Sequence, residues 1–85
     1  MERFTFVIQD ALGIHARPAG ALAKALRPFS CRASMAANGR TADARRVFDV
    51  MELGVKGGEP VTFTLEGTDE AVAAAALKRF CEETL

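Results

Sequence analysis

The sequence contains a single histidine and two cysteines, and no apolar run approaches the roughly 18 residues of a membrane-spanning helix. Cys31 and Cys81 lie far apart and lack metal-ligand spacing, so no metal centre is expected and both are expected to be buried free thiols. There is no nucleotide-cradling glycine loop, so no cofactor is expected, and there are no internal repeats, linkers or low-complexity tracts. Met1 to Thr5 show no basic segment leading into an apolar block. The expectation is therefore a cytoplasmic chain without signal peptide or membrane insertion. Eighty-five residues suit one domain spanning 1–85, too short for a large enzyme cleft plus a second module.

Net charge is zero, yet the charges segregate. His15 to Lys56 carries eight Lys/Arg against three Asp/Glu, and Glu59 to Leu85 carries two against six. Solvated faces explain scattered charges of this kind; a basic surface near His15 would in addition attract phosphate or acidic proteins. Nucleic acid is not an expected partner, because the basic residues are unclustered and the overall pI is not high.

Hydropathy patterning supplies the elements. Phe4, Phe6 and Ile8 alternate onto one face of a first strand, Phe4–Ile8. Asp10 and Gly13 break the chain before a helix from Ala16 to Arg27, whose apolar stripe is Ala19, Leu22, Ala23 and Leu26. Pro18 fits the first turn, and Pro28 should end the helix by disfavouring helical geometry at Arg27. Arg32–Ala36 and Arg40–Ala44 flank Asn38-Gly39, a hairpin signal. Val47–Leu53 reads as a short helix ended by Gly54, and Pro60–Glu66 as the clearest strand. A last helix is expected to start with Asp69 as N-cap and Glu70 in the first turn, burying Ala73, Ala76, Leu77 and Phe80. The order strand, helix, strand, strand, helix, strand, helix predicts an α+β open-faced sandwich with helices on one face of a four-stranded sheet.

The chemistry concentrates at Leu12-Gly13-Ile14-His15-Ala16-Arg17-Pro18. A helix start presents free N–H groups and the positive end of the dipole, which suit an anion. An imidazole is a nucleophile and a good leaving group near neutral pH. His15 is therefore expected to carry a phosphoryl group, steadied by N–H groups at Ala16 and by the Arg17 guanidinium. Without these neighbours, a lone histidine would most simply be a surface or packing residue.

Gly13-Ile14-His15-Ala16-Arg17-Pro18 resembles the phosphorylation-site motif of the histidine-containing phosphocarrier (HPr) family of the bacterial phosphoenolpyruvate-dependent sugar phosphotransferase system. Asn38-Gly39, Val50-Met51, Leu53-Gly54, Gly58 and Gly67 with Asp69-Glu70 match its later landmarks. The resemblance implies a βαββαβα fold with an antiparallel sheet in which the first and last strands are adjacent. It implies phosphorylation at Nδ1 of His15, with phosphorylated enzyme I as donor and IIA domains of sugar transporters as acceptors. It further implies a monomer that carries phosphate without being an independent catalyst, and a docking patch at Val47, Phe48 and Met51 beside the histidine. The chain departs from the family at Arg46, where Gram-positive members have a phosphorylatable serine, so the regulatory serine is absent. Asp49 can pair with Arg45 or Arg46. An alternative keeps the His15 chemistry in a regulatory branch, nitrogen-related or linked to dihydroxyacetone kinase. A third reading, a small histidine phosphatase using His15 and Arg17, lacks a second imidazole and further phosphate-clamping residues.

Overall fold

The computed structural model describes residues 1–85. Seven elements run in the order β1 (Glu2–Val7), α1 (Ala16–Leu26), β2 (Arg32–Ala37), β3 (Arg40–Asp43), α2 (Val47–Glu52), β4 (Pro60–Glu66) and α3 (Glu70–Thr84). The four strands form one sheet in the order β1-β4-β2-β3, and every neighbouring pair is antiparallel. The expected βαββαβα open sandwich is present, with the first and last strands side by side. β1 begins at Glu2, earlier than its apolar alternation suggests, because Glu2 and Arg3 pair with Leu65 and Thr64. Ile8 lies just past the strand but stays buried, and its N–H donates to Glu59 O at 3.0 Å.

Strand alternation sorts the two faces of the sheet. Val61, Phe63 and Leu65 of β4 are buried together with Ala33, Met35 and Ala37 of β2 under the helices. Phe4 packs on Phe63 with ring centroids 5.4 Å apart. Each such large apolar side chain stabilises the fold by about 1.5–3 kcal/mol. The opposite face carries hydroxyls and charges: Thr5 and Thr62 share a hydrogen bond of 3.0 Å, and Arg3 Nε donates to Thr64 Oγ1 at 3.3 Å. The hairpin turns as expected, with φ of +52° at Asn38 and +75° at Gly39.

Two local expectations need correction, the geometry of Arg27 and the buried stripe of α3, while Asp69 is the N-cap of α3 as expected. Arg27 keeps right-handed helical geometry (φ −54°, ψ −41°) immediately before Pro28. The helix ends because Pro28 has no N–H to continue it, and Phe29 N–H turns back to Leu26 O at 3.1 Å. Asp69 stands at the N-cap of α3 without a side-chain capping bond. Its carboxylate reaches across to the N–H groups of Ser30 (2.7 Å) and Cys31 (2.9 Å), while Glu70 Oε1 accepts the Gly67 N–H at 3.0 Å. The buried stripe of α3 is Ala73, Ala74, Leu77 and Cys81, with Ala76 exposed and Phe80 half-buried. The stripe is rotated from the expected one, so that Ala74 and Cys81 face the core and Ala76 does not. Cys31 and Cys81 are buried free thiols. No helix is long and apolar enough to cross a membrane.

Candidate functional site

Local backbone chemistry fixes the loop that delivers His15. Gly13 adopts φ +71°, and a Cβ added there would lie 2.1 Å from Val55 O. Only glycine suits both that dihedral and that approach. The close contact lets Ile14 N–H donate to Val55 O at 3.1 Å, and Ile14 itself is buried. Asp10 ties down the other side of the loop. Its Oδ1 accepts the Leu12 N–H at 2.9 Å, its carbonyl accepts the Gly13 N–H at 2.9 Å, and its own N–H donates to Leu85 O at 3.0 Å. Such an Asx turn is a local signal of Asp followed two residues on by a free N–H. In the sequence alone Asp10 reads only as a breaker.

His15 is the N-cap of α1, with extended backbone (φ −95°, ψ −168°). Its carbonyl accepts the Ala19 N–H at 3.1 Å, so it starts the helix through its backbone. Its ring makes no capping hydrogen bond. The N–H groups of Ala16 and Arg17, the first two helical residues, have no intrahelical acceptor, and Pro18 brings none. The ring is 39% exposed, and Nε2 lies 3.8 Å from Asp10 Oδ2. Arg17 is exposed and takes part in none of the ion pairs. A reachable nucleophile thus stands at a positive helix end with an unengaged guanidinium two residues away.

α2 packs against α1. Phe48 is 79% exposed, whereas Val47 and Met51 are half-buried against the core and Val50 is fully buried. Of the three residues expected to form a docking patch, Phe48 alone stands clear. Leu12, three residues before His15, is also an exposed large apolar side chain, at 76%. Arg46 is the N-cap of α2 and pairs with Asp49 at 3.1 Å. Arg45 turns away and donates to the carbonyls of Leu26 and Phe29 at the end of α1. A hollow of about 560 Å³ lies elsewhere, among Arg32, Ser34, Asp43, Arg45 and Thr64, and does not include His15.

Comparison with known proteins agrees with this geometry. The family described as "PTS HPr component phosphorylation site" matches residues 2–83. The phosphocarrier protein HPr of Mycoplasma capricolum is 33% identical over 84 residues, covering 99% of this chain and 94% of the relative. A multiphosphoryl transfer protein of Xanthomonas campestris is 40% identical over 78 residues, covering 92% of this chain but 9% of that longer protein. A solved histidine-containing phosphocarrier protein of Mycoplasma superposes with a TM-score of 0.93 at 32% identity, covering 98% of this chain and 94% of the other. A family match over almost the whole chain, joined to a superposable fold and a partly exposed histidine at a helix start, identifies the chain as a member of the HPr family of phosphocarrier proteins of the phosphotransferase system.

Proposed function

We propose that His15 is the phosphoryl acceptor, that phosphorylated enzyme I is its donor, and that IIA domains of sugar transporters take the group onward. The observation that carries this reading is the N-cap position of His15 with a ring that does no capping. The helix-start N–H groups of Ala16 and Arg17 are left for the phosphoryl oxygens, and the Arg17 guanidinium adds charge. Both partners of a transfer must approach the same nitrogen, so exposure of the ring and the lack of an enclosing cleft suit a carrier. Phe48, with the half-buried Val47 and Met51 and the exposed Leu12, offers the apolar surface on which such partners would dock. The relatives named HPr favour sugar transport over a regulatory branch.

In this reading residues 1–85 act as one cytoplasmic, monomeric carrier domain that holds phosphate transiently and turns over nothing alone. It needs no cofactor, and nucleic acid is not a partner. Arg46 has no hydroxyl to esterify, so control through a serine at that position is absent. Incubation with phosphoenolpyruvate and enzyme I should give an acid-labile adduct of one phosphoryl group by intact mass. His15→Ala should give none; an adduct that persists in that variant would overturn the assignment.

A further inference from the structure

We propose that Asp10 is a positioning residue for His15, whose carboxylate holds the ring proton on Nε2 and so leaves the Nδ1 lone pair free for phosphorus. The inference rests on His15 being the phosphoryl acceptor and names a residue that makes it competent.

The carboxylate is held in place by its surroundings. Oδ1 accepts the Leu12 N–H at 2.9 Å, while the Asp10 backbone is tied to Leu85 O and to the Gly13 N–H. Oδ2 is left facing Nε2 at 3.8 Å, and no Lys or Arg pairs with Asp10. That distance is longer than a hydrogen bond, a separation of the kind that tightens when a reaction partner closes over an apo site. A carboxylate only accepts hydrogen bonds, so it favours the tautomer with its proton on Nε2. In the transfer, the Nδ1 lone pair forms the new bond to phosphorus. The donor's own bond to phosphorus breaks, and its electron pair returns to the donor. The Nε2 proton stays where it is, and the positive charge that develops on the ring faces Oδ2. The arrangement follows the logic of the aspartate that orients the histidine in serine hydrolases.

Asp10→Asn separates the two duties of this side chain. The amide oxygen can still accept from Leu12 N–H, so backbone amide spectra should stay close to wild type. The amide NH2 turned toward the ring can only donate, which favours the proton on Nδ1. Ring 15N–1H spectra should therefore show more of the Nδ1–H tautomer in Asp10→Asn. Phosphoryl uptake from enzyme I charged with phosphoenolpyruvate should slow by about tenfold, a smaller effect than in a fully buried triad because this site is partly solvated. Unchanged tautomer populations in Asp10→Asn would overturn the proposal, whether uptake slows or not. If wild type takes up no phosphate at His15, the carrier assignment fails, while the tautomer comparison still decides the role of Asp10.

Discussion

At the scale of the residue, Gly13 and Asp10 set the position of His15. Gly13 brings the loop within reach of Val55, and Asp10 bonds the loop to itself from the other side. A methyl group at Gly13 would meet Val55 O at 2.1 Å and would also force an L-residue to hold φ +71°. Gly13→Ala should lower unfolding stability by about 2–4 kcal/mol. It should slow phosphoryl uptake as well, since the loop cannot keep both its contact with Val55 and its path into α1. Urea denaturation and the enzyme I assay measure the two effects on one sample. A wild-type urea midpoint would show that the loop accommodates the methyl group.

At the scale of the element, α1 has to be stopped as well as started. Its start is built by the backbone of His15, which leaves the ring available. Its end depends on a residue far along the chain. Arg45 Nη2 donates to Phe29 O at 2.7 Å, just past the helix, and to Leu26 O at 3.3 Å, placing a cation at the negative dipole end. Arg45→Ala should cost about 1–2 kcal/mol in urea unfolding. Arg45→Lys should recover only part of that, because an ammonium keeps the charge without the two-pronged geometry. Phosphoryl uptake at His15 should persist in both variants, since the site sits at the opposite end of α1. A loss of uptake at wild-type stability would instead place Arg45 in the docking surface. Arg46 and Asp49, both largely exposed, form an ordinary surface pair whose removal should leave stability nearly unchanged.

At the scale of the whole molecule, the connection between α1 and β2 is fastened to the start of α3 by one carboxylate. The Ser30 N–H holds the Asp69 carboxyl below its ordinary range, helped by contacts with Cys31. Glu70 is depressed in the same way, first by the Gly67 N–H and then by the amino group of Met1. A carboxyl with a lowered folded-state pKa stabilises the fold above its ordinary titration range, and that contribution is lost as pH falls through the lowered value. The urea midpoint should therefore fall from about pH 4 downward. Asp69→Asn should begin lower at pH 7 and lose less on acidification. Parallel curves for the two proteins would refute a role for Asp69 in acid unfolding. The thiols add an independent reporter of global unfolding, because burial pushes Cys81 up to about 12 and also raises Cys31.

How much of this was legible in the chain differs element by element. The bounds of β4 could be read directly, because alternation of Val61, Phe63 and Leu65 with threonines needs nothing beyond the period of a strand. His15 at the head of a helix was legible too, since glycine before it and proline after it are local backbone constraints. The reach of Asp69 to Ser30, the capping of α1 by Arg45 and the rotation of the α3 stripe were not, because each depends on segments far apart in sequence meeting in space. The same holds for the docking patch. The family resemblance groups Val47, Phe48 and Met51 as a patch, but only packing of α2 against α1 and the core decides that Phe48 faces outward. By itself the sequence determined the strands, the helices and the place of His15 at a helix start, through short-range periodicity and dihedral preference. Tertiary structure alone decided which nitrogen of His15 faces the Asp10 carboxylate, because that depends on how the loop folds back on itself.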